Sequence, residues 1–316
     1  MKPAFRPSKV VLLGPQALAV TLGRVLPELK VPDGPIATVT AGWQEREGED
    51  EDLDRELGGR SLNLRLYARA ERVFAADREL SEAHKGVGRR LRDLRRLYNI
   101  RLSHAMDSVM ALLKETAEPA LVEPERASAL ETLRTIDAWH LLRIEEMRSK
   151  FDGTYSPRER DSVAVPRREI EGILRDAPAV VFAGGHVAVL LNRLRIFGLD
   201  AFLEGKILIA WSAGAMVLSE RIVLFHDSPP QGPGHAEVFE KGLGLFRGLI
   251  PLPHGRNRLR LDDRDRVARF AQRFAPDACV VMEGGTRLDW KGSRWTAGSP
   301  AHRLQADGDV VAVSRW

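Results

Sequence analysis

Short apolar runs, each closed by small residues and followed by a helix-like pattern, limit most strongly how this chain can fold. PAVVFAGG (178–185) leads into VAVLLNRLRIFG, and ILIAW (207–211) leads into SAGAMVLSE. KVVLLG near the start and DACVVMEGG near the end repeat the pattern. Runs this brief and this continuously apolar suit strands that are covered on both faces. Alternating with helices, they predict an α/β fold on a mainly parallel, doubly wound sheet. PIATVTAGW (35–43) reads as a further strand. LNLRLYA (62–68) alternates apolar with polar residues and predicts a half-exposed one. The acidic stretch EREGEDEDLDRELGG between them reads as a helix start, and SRWTAG and DVVAVSRW predict short closing strands.

The middle of the chain has a different period. Val87, Leu91, Leu94, Tyr98, Leu102, Ala105, Val109 and Leu112 recur at steps of three and four, which is one apolar stripe on a long helix. AEPALVEPE interrupts it with Pro119 and Pro124, and a second stripe follows through Leu133, Ile136, His140, Ile144 and Met147. The pattern predicts an antiparallel helical hairpin, residues 77–152, inserted between the two parts of an α/β domain, 1–76 and 153–316. His140, on the stripe, reads as a core histidine. FDGTYSPRERDSVAVP reads as a polar linker back into the α/β frame. A hairpin must bury its stripe somewhere, and a homodimer through it is the expectation. Between Lys85 and Arg101 seven basic residues stand against the single acid Asp93, which reads as a solvated face paired with acids elsewhere.

At 316 residues, one large domain with an insertion is the natural size. The single cysteine, Cys279, excludes an internal disulfide and fits a reducing compartment. No apolar run is long enough to span a membrane, and MKPAFRPSKVVLLG lacks a signal-peptide pattern, so a cytoplasmic protein is expected. The formal charge of +4 does not by itself indicate nucleic acid as a partner. The eight histidines form no zinc-like cluster, and no metal or other cofactor is expected.

The junction AWSAGA places Ser212 where an apolar strand turns abruptly into a helix. Small residues at Ala210, Ala213, Gly214 and Ala215 let strand and helix pack closely, the logic of a nucleophile elbow with Ala210 in the first glycine position. A serine before a helix is equally a common N-cap. A nucleophilic serine needs a base and an orienting acid. His226 and Asp227 in LFHDSPP, His235 in GPGHAE and His254 in PLPHGRNR are the downstream candidates. His254 follows a strand-like run and falls on the C-terminal edge of the sheet, where sites in such folds lie.

FAGGHVAVLLNRLRIFGL, AWSAGAM, HDSPP, GLGLFRGLIPLPHGRNRLR and MEGGTRLDW, in that order, resemble the motifs of the aspartyl dipeptidase (peptidase E) and cyanophycinase family of serine peptidases. The resemblance implies a class I glutamine amidotransferase-like fold, flavodoxin-like and three-layered, with the helical hairpin as an insert. It implies Ser212 as nucleophile, His254 as general base and Asp227 as the acid orienting it. Gly185 and Ala213 would supply the oxyanion N–H groups, and Gly184, His186, Trp211, Arg256 and Arg258 would border the substrate. His186, Trp211 and Gly285 depart from the family's pattern, which has Asn, Thr and a tighter Glu-Gly-Thr at those places. The implied chemistry is acyl transfer to serine followed by hydrolysis of a peptide or isopeptide bond, an aspartyl one if Arg256, Arg258 and Arg260 receive a carboxylate. The contrasting expectation is an inactive fold that works as an interaction module through its hairpin, with the triad apart or the pocket filled by Trp211. A true glutamine amidotransferase would need cysteine at the elbow.

Overall fold

The structure, a computed structural model, describes residues 7–17, 19–227, 234–292 and 294–316, with Pro300 described by its backbone. Its elements in chain order are β1 (Lys9–Leu13), α1 (Leu22–Glu28), β2 (Ile36–Val39), α2 (Glu51–Glu56), β3 (Ser61–Asn63) and α3 (Leu66–Ala76). Two long helices follow, α4 (Arg78–Lys114) and α5 (Pro119–Tyr155), then α6 (Asp161–Asp176), β4 (Ala179–Phe182), α7 (Val187–Ile196), β5 (Ile207–Trp211) and α8 (Ala213–Leu218). The chain ends with β6 (Arg221–Leu224), β7 (Glu237–Lys241), β8 (Leu249–Pro253), α9 (Gly255–Arg258), α10 (Arg264–Phe274), β9 (Ala278–Met282), β10 (Arg287–Lys291), β11 (Arg294–Leu304) and β12 (Val310–Arg315).

Among the described residues ten strands form one sheet in the order β3-β2-β4-β5-β1-β10-β11-β9-β8, with β12 on β11. β3, β2, β4, β5 and β1 are parallel, as are β8 and β9, while β10, β11 and β12 run antiparallel. Sidedness follows from the strand period of two. Val10, Leu12, Val180, Phe182, Leu208 and Ala210 enter a core shared with α3, α6, α7 and the long helices. Their neighbours Val11, Leu13, Val181, Ile209 and Trp211 enter a second core with Leu22, Leu53 and Leu57 from α1 and α2. The continuous apolar runs are thus strands covered on both faces, as their composition requires. No helix among the described residues is long and apolar enough to cross a membrane.

The long helices pair with each other and dock on the body through polar groups buried at the stripe. Asp137 receives hydrogen bonds from Tyr98 Oη (2.7 Å) and from Arg273 on α10 (2.6 and 2.8 Å). Tyr98 Oη in turn accepts from the Val238 N–H of β7, at 3.1 Å. His140 is buried and stacks on the Tyr98 ring with centroids 4.1 Å apart. Asp77 caps α4 through the Leu80 N–H (2.9 Å) and pairs with Arg160 (2.6 Å).

Four local expectations are corrected. LNLRLYA is not a strand throughout: β3 stops at Asn63, Arg65 takes a left-handed conformation (φ 50°), and α3 begins at Leu66. FDGTYSPRERDSVAVP is not a linker, because α5 continues to Tyr155 and α6 begins at Asp161, with left-handed Ser156 and Pro157 making the break. The prolines of AEPALVEPE do not lie outside the second helix. Pro119 is its first residue, where its missing N–H is not needed, and Pro124 lies inside it. The basic face is also not laced to acids throughout: Lys85 pairs with Glu82 and Arg95 with Glu237, but Arg89, Arg90, Arg92, Arg96 and Arg101 make no ion pair among the described residues.

Candidate active site

Strand β5 ends at Trp211, level with Leu13 of β1, and Ser212 turns the chain at once into α8. Its φ of 49° and ψ of −122° lie outside the regions open to ordinary L-residues, a strain of about 1–3 kcal/mol. Glycines make the turn possible. A Cβ on Gly214 would stand 2.1 Å from the Phe182 carbonyl oxygen, and one on Gly184 would stand 3.0 Å from the Ser212 Cβ. Beside it, the turn after β4 is held by the His186 N–H donating to the Gly42 carbonyl at 2.8 Å. Gly185, at φ +111°, leaves no room for a side chain against Gly42. The Gly185 and Ala213 N–H groups have no backbone acceptor among the described residues.

His254 sits at the end of β8 in a left-handed conformation (φ 58°), its N–H donating to the Met282 carbonyl of the neighbouring strand at 3.1 Å. One residue beyond Met282, Glu283 Oε1 accepts the Arg256 N–H at 2.7 Å. The turn carrying Glu283 is tied to the end of β1: the Gly14 N–H donates to the Thr286 carbonyl at 2.8 Å. Only glycine fits there, since a Cβ on residue 14 would collide with the Glu283 carbonyl at 1.7 Å. Partial burial lowers the His254 imidazole below its ordinary value, the Arg258 cation lowers it further, and Glu283 opposes both. The net lowering favours the neutral imidazole, the form able to accept a proton.

Ser212 and His254 line one cavity of about 760 Å³, together with Gly184, Gly185, Trp211, Ala213 and Arg258. The cavity beside the serine is open, and Trp211 forms part of its wall without filling it. The Ser212 hydroxyl and the His254 ring share this space without a hydrogen bond between them among the described residues. Asp227 is engaged elsewhere. Its carboxylate accepts the Arg260 N–H (2.6 Å) and pairs with Arg266, and its own N–H donates to the Arg258 carbonyl (2.8 Å). Ser228, Pro229 and Pro230 of the HDSPP motif lie outside the described residues. His186 and Arg256, expected at the substrate, do not line the cavity: His186 Nδ1 caps α7 through the Val189 N–H at 3.3 Å, and Arg256 meets Glu283 through its backbone. Trp43 and Glu283 were not singled out by sequence. Trp43 follows the glycine that holds the Gly185 turn, and Glu283 stands in the EGG segment closing an apolar strand, the same signal that marks Gly184 and Gly185.

Residues 143–297 match the model of Peptidase family S51, a stretch that runs from within α5 to β11 and contains Ser212, His254 and Glu283. Over that stretch the chain is similar to peptidase family S51. That likeness supports a serine peptidase-type hydrolase, which implies a peptide substrate. No curated protein matches the chain. Among solved structures it is similar to a peptidase from an acI-B1 Actinobacterium, at 12% identity over 99% of this chain and 96% of that one, with a TM-score of 0.42.

Proposed function

We propose that Ser212 is the nucleophile and His254 the general base in hydrolysis of a peptide bond in a short peptide, with Glu283 as the acid that orients His254. The observation that carries the reading is the strained Ser212 turn facing a cavity that His254 also lines. A serine serving only as a helix cap gains nothing from that backbone, and its side chain makes no cap hydrogen bond. Glu283 is preferred to Asp227 because it acts electrostatically on His254, whereas both Asp227 oxygens are occupied by the segment after α9. Asp227 then holds that segment, and with it Arg258, in place.

In this reading the substrate draws Ser212 and His254 into hydrogen-bond contact, as catalytic contacts often tighten only in the complex. The Ser212 Oγ attacks the scissile carbonyl carbon while His254 takes its proton. The Gly185 and Ala213 N–H groups receive the developing oxyanion. Collapse expels the amine, which leaves with the proton from His254. Water, deprotonated by His254, then releases the acid from Ser212. Arg258, exposed and in no ion pair among the described residues, is the cavity's available partner for a substrate carboxylate. Arg260 instead lies 3.6 Å from Asp263.

A small fluorophosphonate, which phosphonylates activated serines, tests the assignment. The expected result is a single adduct on Ser212, absent from Ser212→Ala and slowed at least a hundredfold in His254→Ala. An adduct on another residue, or one that persists in Ser212→Ala, overturns it.

A further inference from the structure

We infer that the cavity beside Ser212 selects peptides with a bulky apolar side chain next to the scissile bond and disfavours an acidic one. The inference rests on the proposed role of Ser212 and adds the substrate class. Leu22, Leu53 and Trp211 line the cavity and also belong to the second core, and Trp43 packs against that core, so the hydrophobic interior is continuous with the cavity wall. Met216 of α8 and Leu224 of β6 extend the same surface. A Phe or Leu side chain placed there removes apolar surface from water on both partners. A carboxylate placed there loses its hydration and gains no ion pair from that uncharged wall.

The charges around the cavity support the same choice. Its lining holds two cations, Arg55 and Arg258, and two carboxylates, Asp52 and Glu56, which cancel. Arg55 is bound to Asp52 at 2.9 Å, and both side chains are more than three-quarters exposed, so this pair stands at the rim. Glu56 accepts the Gly23 N–H at 3.0 Å. Arg258 alone is uncommitted among the described residues, and it comes from α9 beside His254, whereas Trp43 and Leu53 come from α2 and the segment before it. A pocket for an acidic side chain would concentrate cations. This one offers a single cation, enough for one terminal carboxylate, and an apolar wall.

The test uses aminoalkyl diphenyl phosphonates, in which a serine oxygen displaces phenoxide from phosphorus, with Phe-, Leu-, Ala- and Asp-type side chains. The full-length protein is incubated with each, and the rate of adduct formation on Ser212 is followed by mass spectrometry. The Phe- and Leu-type reagents are expected to react at least about tenfold faster than the Asp-type, the scale of discrimination that an apolar pocket achieves. Trp43→Ala should narrow that ratio, and Leu53→Arg should shift it toward the Asp-type reagent. Equal rates, or a faster Asp-type reagent in the unaltered protein, overturn the inference. Labelling by the small fluorophosphonate but by none of the phosphonates overturns it while leaving the serine assignment standing. Absence of labelling by either class overturns both.

Discussion

At the scale of single residues, the electrostatics of His254 make a signed prediction. A general base must be neutral, so activity rises with pH through the His254 pKa. Arg258 pushes that pKa down, and Arg258→Gln should move the acid limb of kcat/KM to higher pH. Glu283 pushes it up, and Glu283→Gln should move the limb to lower pH while, on the proposed assignment, reducing kcat by removing the orienting acid. Asp227→Asn should behave otherwise. It weakens charge-assisted contacts to Arg266 and the Arg260 N–H worth about 1–3 kcal/mol, so the melting temperature falls while the acid limb stays in place. Gly184→Ala pushes a methyl group against the Ser212 Cβ, and a loss of labelling rate with an unchanged melting temperature is the expected signature. The elbow was readable because close strand-to-helix packing demands small residues in a fixed local order. The proposed acid, Glu283, was not, because its place near His254 depends on how β9 lies beside β8, and local sequence carries no trace of that pairing.

At the scale of elements, the long helices are held by a few buried polar contacts, and these concentrate the cost of disruption. Asp137→Asn strands the Arg273 guanidinium, and both side chains are almost wholly buried. A loss of about 3–5 kcal/mol is expected, measurable as a lower denaturant midpoint. Asp77→Ala removes the α4 cap and the Arg160 contact together and should cost about 1–2 kcal/mol. The stripes of α4 and α5 were legible from period alone, since an amphipathic helix announces its buried face. Helix ends were less so. Leu64 and Leu66 look like the alternating residues of a strand, yet the turn at Arg65 starts a helix between them, and tertiary packing rather than propensity decides such a switch.

At the scale of the whole molecule, acid should loosen the contact between the long helices and the body. His84 and His140 lie there, and burial lowers each from the ordinary 6.5 to about 4. Each stays neutral in the fold while the unfolded chain takes up a proton, so stability present above the ordinary imidazole pKa is lost as pH falls toward about 4. The melting temperature should decline across that interval, and His140→Phe should flatten the decline. A melting temperature that does not change over the interval would contradict the assignment.

The central place of β1 sets an order of events during synthesis. It is made before the helical pair, yet its partners, β5 and β10, both emerge after that pair. Until then its hydrogen-bonding edges have no sheet to join, and Gly14 has no turn to seat. The proposed nucleophile also emerges before its base, and the base before its acid. On the proposed assignment a nascent chain carries Ser212 without its partners, and activity must wait until β9 has joined β8 and β10 has joined β1.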